Sequence, residues 1–213
     1  MWPDIKVSSK SAVNRTKGQT GMSWFSVGAW LLVSVTMQVV VDERGMVENP
    51  IYARWKNFAV GTEVHYLQHT QAPGAAERRL IIYRLLSRSD EALTVEIRTR
   101  LEGADATTES VRQQVSKRWF RLPPGVDAKQ FGKPSNQSRE GQEDVEILGR
   151  KLKTRWTVSQ VRVEAGITET KTWTADEIPG GLVRSVSTTA AVKSTTTVEL
   201  LELRESAAGD GAG

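Results

Sequence analysis

The chain has 213 residues, no cysteine, two histidines and a formal net charge of +4 from 29 Lys and Arg against 25 Asp and Glu. Without cysteine there is no disulfide, no thiolate nucleophile and no Cys-ligated zinc. From Asn49 onward 24 cations face 21 acids, spread evenly, so no basic tail or stripe of the kind that tracks nucleic-acid phosphates is present.

Residues 1–21 set Lys6, Lys10, Arg15 and Lys17 among Ser, Thr, Asn and Gly. They read as a disordered basic leader, or as sequence preceding a true start at Met22. Residues 22–41 carry no charge, and Asp42, Glu43 and Glu48 follow them. A run of about 20 helical residues at ~1.5 Å each just crosses a ~30 Å hydrocarbon core. The flanking charges then put the N-terminus inside and the rest of the chain across the membrane. Ser23, Ser26, Ser34, Thr36 and Gln38 dilute the run, and its densest part, 27–33, also suits the h-region of a signal peptide. Segment 22–41 is therefore a signal peptide or a transmembrane anchor, and the protein is extracytoplasmic, periplasmic or secreted, in either case. A third reading takes 33–41 as a buried strand, because its apolar residues alternate.

Residues 49–204 form one domain, long enough for a sizeable core. Residues 50–58 suggest a short helical turn that brings Trp55 and Phe58 together at i, i+3. From Gly61 the chain breaks into short alternating segments, the pattern of antiparallel β structure. Leu93, Val95, Ile97 and Leu101 alternate with Thr94, Glu96, Arg98 and Arg100, one face buried and the other wet. Further strands are predicted at 62–70, 78–87, 109–116, 118–122, 144–148, 150–164, 168–174, 182–192 and 196–204. Gly103, Gly149 and Gly166 lie at turns between them. The apolar phase of 150–164 shifts after Val158, which predicts a bulge near Ser159 or Gln160. Pro123, Pro124 and Pro134 make 123–141 a long irregular connection. Residues 205–213, rich in Ala and Gly, read as a disordered tail.

No motif carries chemistry. His65 and His69 share one face of a strand but lie ~13 Å apart at ~3.3 Å per residue, too far for one ion, and a solvated face is expected. Glu140, Glu143, Asp144 and Glu146 lack the register of a calcium loop and read as a charged turn entering a strand. A hydrolase acting through Glu143 or Asp144 is the least favoured alternative. Lys117, Arg118, Trp119, Phe120 and Arg121 mix cations with aromatics, as single-strand nucleic-acid binders do; in an exported domain one of the two rings belongs to the core.

Lys171, Trp173, Pro179 and Arg184 stand in the order K-x-W-x-x-x-x-x-P-x-x-x-x-R, with Gly180 and Gly181 after the proline. This hairpin resembles that of exported bacterial proteins of unknown function and, more distantly, of periplasmic lipoprotein carriers of the Lol type. Glu140, Gly141, Gln142 and Glu143, with Gly149 and Trp156, are similar to a second segment of the same group. The likeness covers some 45 residues. It implies a strongly curved antiparallel sheet or half-barrel, all-β or β-rich α+β, following the N-terminal hydrophobic helix. It further implies a concave face able to hold an acyl chain or an apolar peptide. In that frame Trp156, Trp173, Pro179, Gly180 and Gly181 are structural anchors, with no catalytic, cofactor-binding or metal-binding residue. The expected protein is a non-enzymatic β domain that meets the membrane through 22–41, binds a lipid-like or protein partner and no nucleic acid. The alternative is a structural module of the cell envelope with a filled core.

Fusing residues 1–60 to a reporter active only outside the cytoplasm should give signal. Activity confined to a cytoplasmic reporter would restore the buried-strand reading of 33–41.

Overall fold

The computed structural model describes residues 45–102, 108–122 and 136–206. Segment 22–41 and its leader, Gly103, the proline-rich part of the 123–141 connection and residues 207–213 lie outside the described residues.

After a short strand, β1 (Met46–Glu48), Asn49 starts the helix α1 (Pro50–Trp55). The Asn49 side-chain oxygen accepts from the Ile51 amide at 3.0 Å, and Pro50 takes the first position, where no amide hydrogen is needed. A first meander follows: β2 (Glu63–Ala72), β3 (Ala75–Arg88), β4 (Ala92–Leu101) and β5 (Glu109–Ser116). The next strand, β6 (Arg118–Arg121), turns away to pair with β1. A second meander comprises β7 (Gln137–Ile147), β8 (Arg150–Val163), β9 (Gly166–Thr174), β10 (Leu182–Thr189) and β11 (Ser194–Arg204). Because β11 pairs antiparallel with β2, the two meanders merge into one open nine-stranded sheet ordered β5-β4-β3-β2-β11-β10-β9-β8-β7.

Alternation along each strand gives the sheet an inner and an outer face. Near α1 the inner face carries the core: Val64, Tyr66, Leu85, Leu93, Val95, Val115, Val198 and Leu200 are all buried. Val47 of β1, Tyr52 and Trp55 of α1, and Ile178 of the 175–181 turn are buried at this end as well. The helix fastens both halves of the sheet. Tyr52 Oη donates to the Ser89 carbonyl at 2.9 Å beside the β3–β4 turn, and Arg54 Nη1 donates to the Gly180 carbonyl at 3.0 Å in the β9–β10 turn. Burial pushes the Arg54 guanidinium down to about 10, partly offset by Asp176 and reinforced by Arg155. Gly180 and Gly181 have φ of +74° and +78°, and a Cβ on Gly181 would stand 2.6 Å from Arg54 Nη1. Glycine is required at both positions.

The sheet is curved and unclosed. Tyr66 Oη donates at 2.9 Å to the carbonyl of Leu182, two strands away, a spacing of ~9.6 Å that the ring spans by lying across β11. Register shifts at Leu85/Ser87, Leu182/Arg184 and Leu200/Glu202 fall at this same end, and bulges of this kind bend and twist their strands.

Three expectations are corrected. Strand β7 begins at Gln137, so 137–141 is ladder rather than irregular connection, and the acidic residues 140–146 sit within it. The irregularity expected in β8 belongs to its partner: the shift lies between Gln137 and Arg139, opposite Ser159 and Val158, while β8 pairs regularly with β9. The change of apolar phase in β8 instead places Val161 and Val163 on the inner face, 49% and 44% exposed. Strand β10 stops at Thr189, and residues Ala190–Val192 form a 3-10 turn.

Leu85 is fully buried among these inner-face side chains. Replacing Leu85 with Ala should lower unfolding stability by about 2–5 kcal/mol, read as a drop in denaturant midpoint at unchanged slope. A shift under about 0.5 kcal/mol would place the core elsewhere.

Candidate functional site

The two segments that carry the hairpin resemblance meet on the outer face. Trp156 of β8 pairs directly with Trp173 of β9, and Gly141 of β7 lies opposite Trp156. A Cβ on Gly141 would stand 2.6 Å from Trp156 Cζ2, so the absent side chain makes room for the indole. Lys171 Nζ stands 4.5 Å from the centroid of Trp156 and 4.4 Å from that of Trp173, and the Arg184 guanidinium lies 5.6 Å from Trp173. Both cations are within cation–π range. Glu143 Oε1 accepts from Trp173 Nε1 and, at 3.1 Å, from Lys171 Nζ. These hydrogen bonds, Trp173 first, hold the Glu143 carboxyl below its ordinary range. Lys171, Trp173 and Arg184 of the motif thus form one stack.

Trp156 and Trp173 are half-buried and sit on the face opposite the main core. Next to them on β7 and β8, Ile147, Leu152 and Val158 are buried as a second, smaller apolar group. Pro179 is fully buried in the β9–β10 turn, and Gly180 and Gly181 hold that turn against α1. The side chains of Trp119 and Phe120 lie outside the description; the Phe120 backbone pairs with Val47.

Further along the outer face His65 departs from expectation. It is 6% exposed rather than solvated. Its Nε2 lies 3.1 Å from Glu63 Oε2 and its Nδ1 3.2 Å from Glu202 Oε2. Each ring nitrogen thus faces its own carboxylate oxygen. Arg98 donates to Glu63 Oε1 at 2.8 Å, and Arg84 and Arg204 flank the same carboxylate at 3.6 and 4.0 Å. Burial pushes the Glu63 carboxyl up, but the hydrogen bond with His65 and the charges of Arg98, His65 and Arg84 together bring it below its usual value. His69 is one of the partners of β11 in the ladder, facing Thr197. Among the described residues no group of His, Asp and Glu is arranged to hold a metal ion.

The inner face away from α1 differs from its core end. Thr70, Thr196, Ser187 and Thr170 follow one another across β2, β11, β10 and β9. Thr70 and Thr196 hydroxyls are 3.1 Å apart, those of Thr170 and Ser187 2.9 Å, and those of Thr168 and Thr189 2.7 Å. Leu101 at one side, and Val161 and Val163 at the other, are exposed beside this hydroxyl floor, whereas the exposed Val111 is level with Val64 nearer the core end. Near α1, a polar cleft of about 610 Å³ is lined by Glu48, Tyr52, Lys56, Arg88, Asp90 and Lys117. Sequence reasoning missed both the cleft and the His65 network. Their members come from distant segments joined by strand pairing, and no local spacing signals them.

No family model matches the chain, and no curated protein matches it. Some solved structures have a partial likeness to the chain. An exported protein of Bacteroides fragilis with a YmcC-like fold is 10% identical, with a TM-score of 0.41, over 70% of this chain and 97% of that one. The Pseudomonas aeruginosa MucA/MucB complex is 11% identical, with a TM-score of 0.43, over 76% and 56%. An outer membrane lipoprotein-sorting protein domain from Vibrio parahaemolyticus is 8% identical, with a TM-score of 0.28, over 76% and 91%.

Because the Glu63 carboxyl titrates lower in the fold than in the unfolded chain, its carboxylate stabilises the fold above the ordinary carboxylate range. That contribution is lost as pH falls through the lowered value. Glu63→Gln should be less stable than the parent near neutral pH, and the gap should narrow on acidification from about pH 7 to pH 3. A gap independent of pH would separate stability from this carboxylate.

Proposed function

We propose that residues 49–204 are a non-enzymatic extracytoplasmic domain, exported or tethered through residues 22–41, that binds an extended apolar peptide along the open half of its inner face. The division of that face carries the reading. Its α1 end is filled by buried side chains, whereas the far end exposes Leu101, Val161 and Val163 around paired hydroxyls. Exposed apolar side chains gathered on one surface commonly mark an interaction site.

An extended peptide suits both parts of this surface. Its side chains meet the apolar flanks, and its backbone amides and carbonyls meet the Thr and Ser hydroxyls. An acyl chain would instead cover those hydroxyls and offer them no further polar partner beyond each other, an unfavourable exchange. The cleft near α1 is polar and suits an acyl chain no better. The filled core end keeps the structural module as second reading. Enzymatic use of Glu143 is disfavoured because Trp173 and Lys171 already occupy its carboxylate.

A photo-crosslinking residue placed at Thr170, on the inner face, should yield protein adducts in cells producing the full chain. The same residue at Val186, on the outer face, should yield few. Equal adducts at both sites, or none, would defeat the peptide reading and leave the structural module. Lipid retained by the purified chain in native mass spectrometry would redirect it to acyl-chain carriage.

A further inference from the structure

The cleft beside α1 is built from three segments bound to one another. The Asn49 amide donates to the Lys117 carbonyl at 2.7 Å, and the Lys117 amide to the Glu91 carbonyl at 2.8 Å. Arg88 Nη1 donates to the carbonyls of Lys56 and Phe58 at 2.7 and 2.9 Å. These bonds fix Lys56, Arg88 and Lys117 around one opening. Glu48 neutralises Lys56 at 2.9 Å. Arg88, Lys117 and Asp90 have no ion-pair partner among the described residues, which leaves two free cations facing one free carboxylate. On α1 and the turn after it, Ile51 and Val60 are 41% and 48% exposed.

The surroundings of the cleft select its ligand. Segment 22–41 ends four residues before Gly45, where β1 begins to form. At no more than ~3.5 Å per residue, a membrane-anchored segment would hold this end of the domain within reach of the lipid surface. Exposed apolar side chains next to cations are the combination that seats a protein in the headgroup layer of an anionic bilayer.

From the cleft, its free cations and the exposed Ile51 and Val60, we propose that the α1 end docks on an anionic bilayer, with a lipid phosphate received between Arg88 and Lys117. This docking rests on the membrane attachment proposed above. Asp90 opposes it, so the contact depends on the balance of charge in the cleft. The hydroxyl-lined half of the inner face lies at the opposite end of the strands, and docking would leave it facing away from the membrane.

The absence of cysteine allows a direct test. The full chain with Asn57→Cys, at the rim of the cleft, carries a spin label and is placed in vesicles of phosphatidylcholine with increasing phosphatidylglycerol. Flotation with pure phosphatidylcholine vesicles reports the anchor, and label mobility reports the cleft. Immobilisation should rise with phosphatidylglycerol. Lys117→Gln should lower the docked-to-free ratio roughly fivefold, the effect of about one surface charge. Asp90→Asn should raise the ratio by a similar factor. Both variants should melt with the labelled parent, since neither side chain holds an ion pair or side-chain hydrogen bond among the described residues. Inorganic phosphate at millimolar concentration should not restrict the label when the vesicles are uncharged; if it does, the cleft takes free phosphate and the membrane proposal is overturned. Label mobility insensitive to phosphatidylglycerol, or unchanged by both substitutions, would also overturn it. Flotation only with anionic vesicles would remove the anchor and leave the cleft proposal standing.

Discussion

The ladder between β2 and β11 is the constraint on which the molecule depends. Each meander is built from neighbours in sequence, and either alone would be a small sheet with one apolar face uncovered. Backbone hydrogen bonds from Glu63–Arg204 to Gln71–Thr195 convert the two into one surface. Several long-range features cross or adjoin that seam. Tyr66 reaches over β11 to Leu182, His65 is bracketed by carboxylates from both strands, and the Thr70–Thr196 pair begins the hydroxyl floor. The helix α1 adds a second tie by fastening a turn of each meander, at Ser89 and at Gly180. Burial of Val64, Tyr66, Val198 and Leu200 lines the seam with core side chains, so backbone pairing and apolar packing reinforce each other there.

The inner face of the domain is divided along the length of its strands. Near α1 the inner face is filled by buried side chains, and its far end is lined by paired hydroxyls. The outer face is occupied differently. In the Trp156, Lys171, Trp173 and Arg184 stack, indole faces and cations satisfy one another, and Glu143 closes the group at the β7 edge. With Glu143 the group adds side-chain contacts across four strands that are already paired through their backbones, and it covers this side of the sheet with charge. Charged residues along an edge strand also discourage pairing with a second sheet, and β7 carries Glu140, Asp144 and Glu146 for that purpose on its other face.

Strands were legible because alternation is local: Leu93, Val95 and Ile97 announce a half-buried ladder from their spacing alone. Strand β5 begins and ends where the sequence places it, at Glu109 and Ser116. The stack was partly legible, since a hairpin brings Lys171, Trp173 and Arg184 to one face by its own geometry. Three things were not. Strand β7 hides its first half in Gln, Ser, Glu and Gly, a run without apolar alternation that is held by β8 and by the fit of Trp156 over Gly141. The burial of His65 depends on Glu202, which arrives only through the seam. The cleft needs Lys117 and Arg88 brought together by carbonyl contacts that no side-chain pattern encodes.

The seam also sets an order of events. The end of β2 and the start of β11 are separated by more than a hundred residues, including both hairpin series. At ribosomal rates of ~5–20 residues per second, the wait between them is on the order of ten seconds. During that time the first meander would present β2 as a bare edge, with Val64 and Tyr66 uncovered. Contacts of such separation also close slowly for entropic reasons. A chain of this design gains from being kept unfolded until its last strand is made, so that β2 and β11 can meet as soon as both are free to pair.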